Sequence, residues 1–194
     1  MTSVTNVAGM KHPSIQEESS SVSSVMEEFQ DLVDIGEHAT WLLSSAKPGF
    51  GVDQLRDESL STFWQSDAPQ PHTISIQFNK RYEIENILLY TDHKLDESYT
   101  PSKISIKAGT TFHDLEEIIS TELEEPSGWI NIPLNEQRRL KANLVQISIH
   151  SNHQNGRDTH LRQVKVLGKK CTIESQLKIP MFAQSELNMF NTIR

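Results

Sequence analysis

Between residues 39 and 168 the apolar residues fall in short runs, several of them at every second position, and no segment between the runs has the length and period of a crossover helix. A two-residue period puts one face of an extended chain against a core and the other in a polar setting. Thr73-Ile74-Ser75-Ile76-Gln77-Phe78 alternates cleanly. Thr40–Ser44, Ile84–Tyr90, Ile104 with Ile106, Trp129–Ile132, Leu144–Ile149 and Leu161–Val166 read as further strands, about seven in all. Ile87-Leu88-Leu89-Tyr90 is apolar throughout, so that strand is expected to be covered on both faces. Pro133 ends its strand or places it at an edge. Turn signals stand at Lys47-Pro48-Gly49, Ala68-Pro69, Pro101, Gly109 and Pro126-Ser127-Gly128. Only short helical pieces are expected, around Val52–Leu55 and Phe112–Ile119. Parallel strands need long crossovers, so the pattern predicts an all-β antiparallel sandwich.

Outside this block the pattern changes. Residues 1–21 are rich in Ser, Glu and Thr and read as disordered. Val22, Val25, Met26, Phe29, Leu32 and Val33 recur at helical spacing, which predicts a short helical lead-in over 22–38. The sandwich is expected over 39–168. Residues 169–194 form a tail interrupted by Pro180, with scattered apolar residues and the ending Ile193-Arg194.

The chain has 194 residues, 36% of them hydrophobic, with 18 basic against 26 acidic residues and a net charge of −8. Nucleic-acid binders are generally basic, so that role is disfavoured. Cys171 is the only cysteine, so no intrachain disulfide forms. No apolar run has signal-peptide or membrane length, and there is no Asn-X-Ser/Thr acceptor. These features lead us to expect a cytoplasmic or nuclear protein.

The nine-residue stretch Asn152–His160, Asn-His-Gln-Asn-Gly-Arg-Asp-Thr-His, separates two strand-like runs. A simple hairpin needs about two to five loop residues. A longer polar loop on a rigid sheet suits recognition. A second segment, Asp92–Pro101, offers Asp96, Glu97, Ser98 and Tyr99. Side by side at one end of a sandwich, the two would present carboxylates, amides and an aromatic face to a basic residue with an apolar neighbour. Gly156 is expected to permit the turn. Arg157 reads either as a contact or as a structural partner of Asp158 or Asp96. Asp57 and Thr62 are expected to hold their own loop, with Phe63 and Trp64 in the core.

Catalysis has no positive signal. There is no Gly-X-Ser-X-Gly, no phosphate-cradling glycine loop and no His-Glu-X-X-His. His150, His153, His160 and Asp158 are ligand-type side chains, but their spacing fits no metal motif. We expect neither a catalytic residue, a metal nor a cofactor. His150 continues a strand alternation and reads as a half-buried structural residue.

Five stretches carry a family resemblance. Asp57–Asp67, with Thr62-Phe63-Trp64-Gln65-Ser66-Asp67, is similar to a signature of galactose-binding-like jelly rolls, including discoidin-type domains. Lys47–Asp57, Asp96–Ile104 and Asn152–Gln163, together with Glu125-Pro126-Ser127-Gly128-Trp129, resemble the Doc domain of the subunit 10 family of the anaphase-promoting complex (cyclosome). The resemblance runs over about Gly36–Gly168, and the Ile193-Arg194 ending also matches the family. It implies a jelly-roll sandwich in a non-catalytic ubiquitin-ligase subunit. With a WD40 coactivator, such a subunit forms the co-receptor for the destruction box, a degron containing Arg and Leu, and promotes processive ubiquitylation in mitosis and G1. It further implies degron contact by Ser98, Tyr99, Asn152, His153, Gln154 and Asp158, and docking of Ile193 and Arg194 to a tetratricopeptide-repeat subunit. A carbohydrate- or lipid-binding jelly roll is the alternative, with Tyr99 as a sugar-stacking ring.

Overall fold

The computed structural model describes residues 29–134 and 139–169. In chain order the strands are β1 (Leu32–Asp34), β2 (Ala39–Leu43), β3 (Trp64–Gln65), β4 (His72–Asp92), β5 (Pro101–Gly109), β6 (Glu116–Glu122), β7 (Ser127–Pro133), β8 (Leu140–Asn152), β9 (His160–Leu161) and β10 (Gln163–Lys169). Two short helices intervene, α1 (Val52–Arg56) and α2 (His93–Asp96). Every strand pairing among the described residues is antiparallel.

The long strand β4 organises the molecule. Its first part, His72–Gln77, pairs with β8 on one side, and β2 lies on the other. Its second part pairs with β10 and β7. The β4–β8 ladder shifts register between Gln77 and Tyr82. Such a bulge bends a strand and increases its twist, so β4 passes from one layer of the sandwich into the other. One layer is therefore β2, the first part of β4, β8, β5 and β6. The other is β1, β10, the second part of β4 and β7. The sequence reads as two strands here; Asn79, Lys80 and Arg81 are exposed, yet the chain stays extended through them.

The core lies between the layers, and the alternation explains who fills it. Ile74, Ile76 and Phe78 of β4 join Val145, Ile147 and Ile149 of β8 and Ile104 and Ile106 of β5. Ile87 and Leu89 with Val164 and Val166 close it from the other layer. Leu88 faces the opposite way and is still only 1% exposed, in line with the expected two-sided cover of that strand. Leu55 of α1 and Trp64 of β3 are fully buried, and the Trp64 indole donates to the Ser45 carbonyl at 2.9 Å.

Two helical expectations give way to pairing. Leu32 and Val33 form β1, in register with Lys169 and Gly168. The sandwich thus begins before residue 39 and runs through Lys169, the first residue of the expected tail. Within the lead-in, only Ile35–His38 is helical among the described residues, as one 3-10 turn; residues 22–28 lie outside them. Around Phe112–Ile119 the Asp114 carboxylate accepts from the Thr110 and Thr111 amides. That closes a tight turn and returns the chain as β6, with Ile119 opposite Ile106. An available sheet edge outweighs weak local helix preference at both places.

Ile147 sits opposite Ile74 on one side and Ile106 on the other, all fully buried. Ile147→Ala is expected to cost about 3 kcal/mol in urea unfolding, through lost burial and an unfilled cavity. Gln146→Ala on the other face, which loses one bond to Ser75 at 3.1 Å, is expected to cost about 1 kcal/mol.

Candidate functional site

The two polar segments meet because of where one ladder stops. In the β5–β8 pairing Pro101 lies opposite Asn152. The segment that enters β5 and the segment that leaves β8 must therefore emerge side by side. The contacts there are dense. The His153 amide donates to the Thr100 carbonyl at 2.9 Å. The Thr159 hydroxyl donates to the Tyr99 carbonyl at 3.2 Å. Gly156 packs so close to the Ser98 carbonyl that a methyl group there would overlap it.

The long loop is shaped from beneath. Asn152 is 5% exposed, and its Nδ2 donates to the Gly156 carbonyl at 3.2 Å and to the Asp158 carbonyl at 2.8 Å. The Asn152 Nδ2 is thus spent inside the loop, whereas its buried Oδ1 has no partner among the described residues. Gln70 Nε2 donates to the Gly156 carbonyl at 2.9 Å, and His72 Nε2 lies 2.7 Å from the Arg157 carbonyl. The turn itself is made by Gln154 (φ 52) and Asn155 (φ 57). Gly156 has an ordinary φ of −60, so glycine is required there by close approach and not by backbone conformation. Gln154, Asn155 and Arg157 are exposed, and His153 and Asp158 are half-buried.

The neighbouring loop is built from α2 and the 3-10 turn Glu97–Tyr99. The Asp92 carboxylate caps α2 by accepting from the Lys94 amide at 3.0 Å. Tyr99 is 39% exposed and Ser98 half-buried. Leu95, which no pattern singled out, is the most exposed large apolar residue of the rim at 59%. Its isolation among polar neighbours was the available signal.

Asp96 does not offer its charge to a ligand. It is 6% exposed and takes two bonds from Arg162, Nε at 2.9 Å and Nη2 at 2.8 Å. Arg162 also donates to the Leu60 carbonyl at 2.7 Å. His160 Nδ1 lies 3.1 Å from Asp96 Oδ1, the oxygen that also accepts from Arg162 Nη2. Burial pushes the Asp96 carboxyl up, but the hydrogen bonds from His160 and Arg162 and the guanidinium charge together outweigh it and leave it below the ordinary aspartate value. The partner of Asp96 is thus Arg162, and Arg157 pairs with neither Asp96 nor Asp158 among the described residues. Gln163 anchors the Asp57 loop by donating to Asp57 Oδ1 and to the Ser59 carbonyl, both at 3.0 Å. Thr62 donates to the Asp57 carboxylate at 2.7 Å, as expected of that loop.

Next to the rim lies an open cavity of about 730 Å³, lined by Ser102, Lys103, Glu122, Leu123, Glu124, Glu125, Ser151 and His153. His153 borders both. No three His, Cys, Asp or Glu side chains converge as metal ligands among the described residues, and His150 Nε2 is instead 2.7 Å from the Ser105 hydroxyl. The structure thus brings Ser98, Tyr99, His153, Gln154 and Asp158 to one rim with Asn152 beneath them. Ile193 and Arg194 lie outside the described residues.

Gly156→Ala is expected to push the long loop off Ser98 at a cost of about 1–3 kcal/mol. Amide exchange should speed up at 93–100 and 153–159 and stay unchanged in β8; an unaltered rim would show that the close approach is not needed.

The family model "Anaphase-promoting complex, subunit 10 (APC10)" matches residues 8–192. The Dictyostelium discoideum protein "Anaphase-promoting complex subunit 10" is 59% identical over 95% of this chain and all of its own length. The human protein of that name is 49% identical over 83% of this chain and 88% of its own. "Anaphase-promoting complex subunit DOC1" of Saccharomyces cerevisiae is 34% identical over 70% of this chain and 56% of its own. Among solved structures, the family 32 carbohydrate-binding module of Clostridium perfringens NanJ, in complex with galactose, superposes with a TM-score of 0.59 at 13% identity, covering 69% of this chain and 96% of its own. The C-terminal domain of a Bacteroides fragilis chitobiase gives 0.59 at 18%, covering 73% of this chain and all of its own. These likenesses establish the jelly-roll fold, and the sequence matches extend along almost the entire chain. The chain belongs to the anaphase-promoting complex subunit 10 family.

Proposed function

We propose that this protein is a non-catalytic, cofactor-free subunit of the anaphase-promoting complex, and that its rim forms the destruction-box co-receptor together with a WD40 coactivator. The observation that carries this reading is the joining of two polar loops through Gly156 and Ser98 into one surface. On that surface Tyr99 and Leu95 supply apolar contact, and His153, Gln154, Asp158 and Ser98 supply hydrogen-bonding groups. A short linear peptide needs such a mixture, because main-chain groups must be satisfied while one or two side chains are anchored. The glutamates of the adjacent cavity would favour a basic residue of the peptide.

Mechanism is then a matter of residence time. The degron is shared between this rim and the coactivator, so each contact here slows dissociation without any contribution to bond chemistry. A longer stay permits more ubiquitin transfers per encounter. We place the working protein in the nucleus and cytoplasm, where destruction-box substrates of mitosis and G1 are found. Neither nucleic acid nor a membrane enters this reading. The galactose bound to the distant carbohydrate-binding module belongs to that protein.

Alanine at Tyr99, His153, Gln154 or Asp158 is expected to weaken degron binding by about 0.5–1.5 kcal/mol each, roughly two- to tenfold. In reconstituted complexes, ubiquitin chains on a destruction-box substrate should shorten while subunit composition stays constant. Equal chain lengths for parent and variants would refute the co-receptor role.

The Ile193-Arg194 pair combines a β-branched anchor and a guanidinium, a compact group for a groove in a tetratricopeptide-repeat subunit. Removing both residues is expected to lower co-purification with that subunit and leave the thermal melting of the isolated chain unchanged. Undiminished co-purification would rule out this anchor.

A further inference from the structure

We infer that His160 is a positioning residue for Tyr99, and that a column of stacked rings running under the rim holds the recognition aromatic in one orientation. The inference rests on the co-receptor reading above. Tyr99 lies 4.2 Å from the His160 ring, at an interplanar angle of 11°. Phe63 also stacks on His160, 4.0 Å away at 22°. Phe50 follows, 5.2 Å from Phe63 at 22°. Four rings thus stack from the Lys47–Gly51 turn to the exposed edge.

Tyr99 needs this support. It ends a three-residue 3-10 turn that begins at Glu97 with φ 44. Its carbonyl is bound by Thr159, but its hydroxyl has no partner among the described residues. The stack on His160 is therefore the contact that sets the direction of the ring among the described residues. His160 in turn cannot rotate freely. Its Nδ1 faces the Asp96 carboxylate, which requires the proton on that nitrogen, and Asp96 is fixed by its two bonds to Arg162. Arg162 also places its guanidinium carbon 5.5 Å from the Phe63 ring centre. The buried ion pair and the ring column brace each other, and the Lys47–Asp57, Asp57–Asp67, Asp96–Ile104 and Asn152–Gln163 stretches each supply a member. A ring already held in its bound orientation loses less freedom when a peptide lands on it.

The test uses the full chain assembled in the complex with its coactivator, and a fluorescent destruction-box peptide as probe. Tyr99→Ala, His160→Ala, His160→Phe and the Tyr99→Ala/His160→Ala double variant are compared. His160→Ala should weaken the peptide three- to tenfold, with no further loss in the double variant. His160→Phe, which keeps a ring beneath Tyr99, should restore most of the affinity. In the isolated full chain, the Tyr99 ring protons should lose their ring-current shift in His160→Ala and keep it in His160→Phe, while exchange of the β8 amides is unchanged. Additive losses, or a Tyr99 signal indifferent to His160→Ala, would overturn the positioning role. If Tyr99→Ala alone binds the peptide like the parent, the co-receptor reading fails at this residue, and the inference falls with it whatever the ring signal reports.

Discussion

The antiparallel pairing of β5 with β8 ends at Pro101 opposite Asn152, and the rim depends on that endpoint. Side chains in a strand alternate with a fixed period of two. A one-residue slip would move Ile104, Ile106, Ile147 and Ile149 out of the core, so burial locks the register. Once it is locked, the segments beyond the two strand ends have no choice but to emerge together. The core thereby determines the site without contributing an atom to it. The same logic explains the close approach of Gly156 to Ser98, since two loops delivered this near one another leave no room for a side chain between them.

The second constraint is electrostatic. Asp96, Arg162 and His160 lie under the rim, where desolvation disfavours a charge. Two guanidinium bonds and one imidazole bond outweigh that penalty and keep the carboxylate ionised. Buried pairs of this kind add little net stability relative to an apolar substitute, but they are expensive to break and specific in geometry. Here they tie α2 to the start of β10. The Asp96 charge that the sequence presented to a ligand is thus structural, whereas Glu97 stays exposed; Tyr99, Ser98, Gln154, His153 and Asp158 are the other rim groups on which the proposed recognition rests.

Much of the sandwich was legible beforehand, because alternation is a local signal with a global cause. The strands around Ile74, Ile104 and Ile147 follow directly from it. Elements whose existence depends on a neighbour were not legible. Leu32-Val33-Asp34 became a strand because β10 offered an edge, and Glu116–Glu122 did so because β5 did. The continuity of β4 was hidden as well, since exposed Asn79, Lys80 and Arg81 look like a loop until both layers are seen to claim the same strand. At the rim, residue types pointed to recognition, but nothing in one dimension separated Asn152, turned inward to bind loop carbonyls, from Gln154, turned outward.

The sequence alone determined the architecture, an antiparallel sandwich with two polar segments, and through its long motifs the subunit 10 family. Periodicity and motif length are properties of neighbours along the chain, so they survive without coordinates. The partner of Asp96, the reason for glycine at position 156 and the ring column beneath Tyr99 were decided only in the tertiary structure. The contacts Asp96–Arg162, Ser98–Gly156 and Tyr99–His160 each join residues more than fifty positions apart, and such contacts exist only after the core has brought the strand ends together.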